Sequence, residues 1–247
     1  MKTCKNCGHH FEGKFCNHCG QTADTHRIDF HYLKHEIPHS FFHINPGLLY
    51  TSKQLFIRPG HSIREYLEGK RINHSQPLSF ILILAGFYIL LCHWFHLNLF
   101  TLSDEQGSKI VLSHNSIGFD EYMLKNFGWL TLATIPFYTV GTFICFYNQG
   151  YNFVEYLILN TFKAGQRLIL QIILLPFIFL IKHSFSINTV VLIVYLIDIG
   201  LNFWTNIEFF NHLKPINVII RSILSHCIFI FLLISVVVLL LAIGVLS

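Results

Sequence analysis

LSFILILAGFYILLCHWFHL, Leu78–Leu97, runs for 20 residues without an Asp, Glu, Lys or Arg. A helix of that length covers about 30 Å, the thickness of a bilayer's hydrocarbon core, so this stretch predicts a membrane span. Three further apolar runs reach a similar length: Gly128–Tyr147, Ile187–Ile207 and Ile223–Leu246. A fifth, Leu168–Ile181, is too short alone and must extend backward through Arg167, Lys163 and Asn160, whose side chains snorkel to the interface or face the protein interior. Composition agrees: 53% of the 247 residues are hydrophobic and only 12% charged, about half the usual charge of a globular chain. The expected fold class is an all-α polytopic membrane protein of about five transmembrane helices.

Charge predicts the orientation. Ten of the 17 Lys and Arg residues precede Leu78. With five spans and an internal N-terminus, Lys163, Arg167, Lys214 and Arg221 join them inside, leaving only Lys109, Lys125 and Lys182 outside, as the positive-inside rule requires. No apolar signal segment precedes residue 78, so the N-terminal part is expected in the cytosol and Ser247 on the outer side of a bacterial inner membrane.

Upstream of the first span, CKNCGHHFEGKFCNHCG (residues 4–20) carries two C-x-x-C-G knuckles, Cys4/Cys7 and Cys16/Cys19. Four thiolates at this spacing close a tetrahedral zinc sphere, with no open position for a reactive water. A zinc ribbon is therefore expected over residues 1–24, with Zn2+ in a structural role and supplying the folding energy that so short a segment cannot obtain from burial. Redox-active thiols are the competing reading, but no βαβ pattern surrounds the knuckles. His9, His10 and His18 are near enough to substitute as ligands but are expected to face solvent, while Cys92, Cys145 and Cys227, within spans, read as small buried apolar residues.

Residues 25–77 read as an amphipathic juxtamembrane helical region, followed by a transmembrane bundle over 78–247. Apolar residues recurring at three- and four-residue steps between Ile28 and Leu48 predict helices lying on the inner leaflet or packing upon themselves. Within this segment His35–His39 reads HEIPH, which formally satisfies the H-E-x-x-H signature of zinc proteases. Pro38 breaks the helix that would bring both histidines to one face. His31, His35, His39 and His43 step by four, but the same proline divides them, and interfacial packing is the favoured reading over a metal site.

In FIRPGHSIREYLEGKR, Pro59 predicts a first helical turn, Gly69 a stop, and Ile63, Tyr66 and Leu67 one apolar side, with Arg64 and Glu68 placed to pair. Arg58, Pro59, Gly60, Tyr66, Gly69, Lys70 and Arg71, with Pro77 before the first span, carry a resemblance. Together with the knuckles and YNFVEYLILNTF, they resemble an uncharacterised bacterial domain-of-unknown-function family of zinc-ribbon membrane proteins. That resemblance implies architecture and no activity.

Asp198 lies in the middle of an apolar run and should face the bundle interior, where Tyr195, Asn202 and Thr205 share its stripe. Tyr156, Asn160, Lys163, Arg167 and Gln171 form a second stripe, and Arg167 is the expected counter-ion of Asp198. The leading functional expectation is a non-enzymatic membrane scaffold or adaptor, with the lipid bilayer and a cytosolic protein bound by the ribbon as partners, a homo-oligomer as the assembly, and nothing pointing to nucleic acid. The alternative is a channel, carrier or lipid-handling transporter using Asp198, Asn202, Arg167 and Asn160. A membrane zinc metalloprotease is the disfavoured third reading.

Overall fold

The computed structural model describes residues 1–30, 47–95, 127–181 and 187–242. The HEIPH segment, the histidine series from His31 to His43 and the loop cations Lys109, Lys125 and Lys182 lie outside the described residues. Among the described residues the regular structure is helical apart from a two-stranded antiparallel sheet, β1 (Lys2–Thr3) and β2 (His10–Phe11), at the N-terminus. The helices are α1 (Leu48–Ile57), α2 (Pro59–Glu68), α3 (Pro77–Trp94), α4 (Phe127–Cys145), α5 (Phe153–Ile181), α6 (Ile187–Phe209) and α7 (Pro215–Ala242). Among the described residues, four helices have the length and apolarity to cross a membrane, in α3, α5, α6 and α7, and Thr131–Cys145 of α4 is a shorter apolar helix.

The long helices alternate in direction. The starts of α3, α5 and α7 and the ends of α4 and α6 meet at one end of the bundle, where Arg221 donates to the carbonyl of Cys145 and Arg64 to the carbonyls of Glu208 and Phe209. Burial is concentrated at this end. Tyr66 of α2, Phe80 and Ile81 of α3, Tyr156, Leu159 and Phe162 of α5, and Phe209 and Phe210 are all at most 1% exposed. Phe146 stacks on Phe210 with ring centroids 4.1 Å apart, and Phe162 meets Tyr66 edge-on at 5.2 Å. Farther along, Leu192, Ile193, Leu196 and Ile197 of α6 and Phe231, Ile234, Val238 and Leu239 of α7 are exposed, as expected of surfaces that meet lipid. Cys227 is exposed there too, which corrects the expectation of a buried thiol, whereas Cys92 is buried. Where α4 packs against α7, Gly141 lies so close to Ser225 that an added Cβ would sit 2.6 Å from its carbonyl oxygen.

The juxtamembrane helices pack onto the same bundle end. α2 buries Pro59, Gly60, Ser62, Ile63, Tyr66 and Leu67, the side predicted from its periodicity. Arg64 does not pair with Glu68; it donates to the carbonyls at the end of α6. His74, 8% exposed, sits between the rings of Tyr50 and Tyr66 in edge-on contacts at 5.2 and 6.0 Å. Burial pushes its imidazole down to about 4, outweighing the attraction of Glu65.

Two predictions follow from this packing. A Cβ at Gly60 would stand 2.5 Å from the carbonyl carbon of Glu208, so Gly60→Ala should destabilise the protein by roughly 1–3 kcal/mol, read by thermal unfolding in detergent. Because folded His74 titrates below the ordinary imidazole value of 6.5, the unfolded chain takes up the proton first as pH falls. Stability should drop between about pH 6.5 and 4, and His74→Phe, which keeps the edge-on packing, should flatten that slope by up to about one proton.

Candidate functional site

The N-terminal segment is built twice, with a 12-residue offset. Cys4 N–H donates to the His9 carbonyl at 2.9 Å and Gly8 N–H to the Cys4 carbonyl at 2.9 Å; Cys16 and Gly20 repeat the pattern toward Gln21 and Cys16 at 2.8 Å each. Thr3 pairs with His10 and, at the same offset, Phe15 with Thr22. Each knuckle closes on a glycine with φ of 74° or 77°, a conformation other residues rarely adopt.

This duplication brings the sulfurs of Cys4, Cys7, Cys16 and Cys19 within 4.8 Å of one another, with Cys4–Cys19 at 3.5 Å and Cys7–Cys16 at 3.7 Å. Tetrahedral thiolates at a metal–sulfur distance of about 2.3 Å stand roughly 3.8 Å apart, so the group fits a single ion. Cys4, Cys16 and Phe11 are the segment's buried apolar core, too small to hold it folded unaided. Burial would raise the Cys19 thiol, but the Gln21 backbone, Asn6 and the adjoining thiols bring it down to about 7. At Cys7 the His9 backbone lowers the thiol, yet burial and the three neighbouring cysteines push it up to about 12. Four crowded thiols resist joint ionisation, and a bound cation removes that resistance.

The ribbon is fastened to the helices by its second knuckle. Gln21, 3% exposed, donates to the carbonyl of Gly69 at 2.9 Å and accepts from the N–H groups of Arg71 at 3.0 Å and Ile72 at 3.3 Å. Gly69 has φ of +107° and ends α2, so the side chain reads the free backbone groups of a left-handed helix cap. Arg71 reaches back to the His26 carbonyl at 2.8 Å, and Lys5 holds the Thr25 carbonyl. Next along the chain, Arg27 forks onto Glu155 at 2.8 and 2.7 Å and donates to Gly150, while Asn152 donates to the Ile28 carbonyl. Asn152 and Glu155 exchange bonds at the start of α5, side chain to backbone in each direction, which is a capping box. The sequence reading missed this anchor, although Asn152-x-x-Glu155 ahead of an apolar run was its visible signal.

The RPG–GKR residues divide into two contacts. At one end Gly60 N–H donates to the Glu208 carboxylate at 3.1 Å, Pro59 occupies the first turn, and Arg58 bonds Gln54 and pairs with Glu65. At the other, Lys70 pairs with Glu65 at 3.1 Å, and Gly69 and Arg71 meet the ribbon. Burial would raise the Glu65 carboxyl, but Lys70, Arg58 and His74 hold it below its ordinary value. Tyr66 lies between, wholly buried.

Inside the bundle, Asn160 donates to the Tyr156 carbonyl at 3.0 Å and lies against Thr139 and Thr142. Asn202 donates to the Tyr138 hydroxyl at 2.8 Å. Lys163, 7% exposed, donates to Asn206 at 3.1 Å and lies 5.0 Å from the centre of the Tyr138 ring. Asn206 also bonds Asn202 and Ser222, and His226 joins Tyr138 to Tyr195. Arg167 is the strongest of the positive charges acting on Asp198, ahead of Lys163 and His226, although among the described residues Arg167 and Asp198 do not form a direct ion pair. Lys163 and Asn206, rather than Asp198 and Arg167, are in direct contact here. Tyr138, Asn206, Ser222 and His226 were not legible as partners because each is a lone polar residue whose register depends on how neighbouring helices cross.

Such a molecule is a helical membrane protein carrying a Cys4 cluster able to hold a metal. Residues 46–89, from just before α1 into α3, match the family described as Protein of unknown function (DUF3667). The match covers the RPG–GKR helix and stops short of both the ribbon and the later spans. No curated protein and no solved structure matches the chain.

Gln21→Ala removes three hydrogen bonds from a buried turn and should weaken ribbon docking by about 1–3 kcal/mol. Limited proteolysis should then cut between the ribbon and α1 sooner than in the parent protein, with the helical bundle left intact.

Proposed function

We propose that the protein is a non-enzymatic scaffold or adaptor of the bacterial inner membrane, whose zinc ribbon, on the cytosolic face, holds a protein partner in fixed orientation to the helical bundle. The observation that carries this reading is the double anchorage of the ribbon. Gln21 ties it to the end of α2, and Arg27 ties the following segment to α5, so a load on the ribbon is borne by the bundle. A ribbon serving only to fold its own segment would need neither contact. Zinc is the ion favoured by four thiolates in a closed tetrahedron, and a closed sphere suits architecture rather than hydrolysis. The excess of Lys and Arg before the first span supports a cytosolic ribbon.

Transport is the second reading, favoured by the buried Lys163 and the hydrogen-bonded residues around it. Its weakness is that Asn202 and Asn206 interrupt the chain with amides, which do not relay protons as carboxylates and imidazoles do.

The purified protein should contain one zinc per chain by elemental analysis, and Cys16→Ser should lose it while remaining inserted in the membrane. A photo-crosslinker at Phe15, 61% exposed on the ribbon, should form a discrete protein adduct in cells that Cys16→Ser abolishes. An adduct that survives loss of the metal, or its absence together with solute flux in proteoliposomes, would reject the adaptor reading in favour of the second.

A further inference from the structure

The polar stripe on α5 has needs that the surrounding helices leave unmet. Asn160, Lys163, Arg167 and Gln171 follow one another at three- and four-residue steps and so share a face. Lys163 is buried and Arg167 half-buried, and among the described residues neither forms an ion pair with a carboxylate. Among the described residues the carboxylate whose charge acts on both is Asp198, one turn before Asn202 on α6, and it acts on His226 as well. Lys163 and Arg167 share the carboxylate of Asp198 among the described residues, and a cation near the middle of the span without an acceptor costs several kcal/mol. The amide oxygens of Asn160 and Gln171, at the two ends of the stripe, are buried without a hydrogen-bond partner. An orphan acceptor needs a donor, and a cation needs an acceptor. A hydrated anion supplies both.

Access exists from the side. Asp198 is half-buried, and Tyr195, one turn away on α6 and bonded to His226 at 2.6 Å, is 43% exposed. The stripe therefore approaches the surface where the first half of α6 stands clear of its neighbours.

The geometry points to an intramembrane binding site for a singly charged anionic group, held by Lys163 and Arg167, limited by Asp198, and accompanied by water at Asn160 and Gln171. The group is either a small free anion or the phosphate of an anionic lipid, since both offer one negative charge and several acceptor oxygens or an equivalent sphere. Asp198 has a defined part here: it opposes the ligand, so that its removal strengthens binding. That sign separates the proposal from a simple counter-ion role, in which removing Asp198 only weakens the bundle. The site stands independently of the adaptor reading, because it requires neither a partner on the ribbon nor movement of any solute.

The test uses the full chain in phosphatidylcholine nanodiscs, with thermal unfolding followed as chloride replaces gluconate at constant ionic strength, and a second series in gluconate with phosphatidylglycerol added. A saturable stabilisation is expected in at least one series, and the series that shows it identifies the source as free anion or lipid. Lys163→Gln and Arg167→Gln should each weaken the apparent affinity about tenfold, and Asp198→Asn should tighten it by a similar factor, the scale of a unit charge acting through a partly polar interior. Should Lys163→Gln fail to fold, the opposed shifts of Arg167→Gln and Asp198→Asn still decide. No saturable shift with either probe, an equal shift in every variant, or weaker binding in Asp198→Asn would overturn the proposal.

Discussion

Two helix ends satisfy each other where α2 meets α6, and the remaining architecture is arranged around that contact. The first turn of α2 leaves backbone donors unused, and the Glu208 carboxylate accepts from Gly60. The last turn of α6 leaves carbonyls unused, and Arg64 donates to those of Glu208 and Phe209. Each charge also lies at the favourable end of the opposing helix dipole, carboxylate at an N-terminus and guanidinium at a C-terminus. Trp204 holds the second carboxylate oxygen at 2.9 Å, which fixes the side chain that accepts from Gly60. The absence of a side chain at Gly60 is what allows the two backbones to come this close.

From there the contacts propagate in both directions. At the far end of α2, the left-handed cap at Gly69 presents one carbonyl and two N–H groups to Gln21, so the helix that seals α6 also seats the ribbon. Toward the bundle, Gln166 of α5 donates to the Leu55 carbonyl in the last turn of α1 and accepts from Thr205 of α6 at 3.0 Å. Three helices are thereby set in register by one amide. The bundle is consequently tightest at the ribbon end, where aromatic rings fill the spaces between helices, and loosens beyond the middle of α6 and α7. An ion held by the four thiolates would stabilise more than the knuckles themselves, because the turn that closes the second knuckle also positions Gln21.

Local features were legible in the sequence to the extent that their chemistry is local. The knuckles, with their glycines, need only short-range geometry, and the sulfurs converge as the spacing implies. The span lengths, the Pro59 start and the Gly69 stop likewise depend on backbone rules within a few residues. Partner assignments failed where the alternative partner came from elsewhere in the chain. Arg64 was placed against Glu68 by helical spacing, but carbonyls 144 and 145 residues away offer a better site, because an exposed i,i+4 pair contributes only a few tenths of a kcal/mol. For Arg167 and Asp198 the match by charge agrees with Arg167 being the strongest positive charge acting on Asp198, but charge does not specify the depth at which two helices cross, and among the described residues the two do not form a direct ion pair.

The polar residues inside the bundle contribute differently from the apolar ones. An interhelical hydrogen bond in a membrane protein is worth about 0.6 kcal/mol on average, so the Asn206, Asn202 and Ser222 contacts add modestly to stability. Their larger effect is on register: sliding α6 by one residue along α5 would separate Lys163 from Asn206 and leave a buried ammonium without its oxygen. Apolar side chains tolerate such a slip far better, since lipid and protein interiors are nearly equivalent surroundings for leucine or isoleucine. Lys163 therefore acts as a constraint on how the helices cross, and the cost of burying its charge is what makes the constraint sharp. An apolar residue at this position would cost less to bury, but it would not tie the register of α5 to that of α6 as the Lys163–Asn206 contact does.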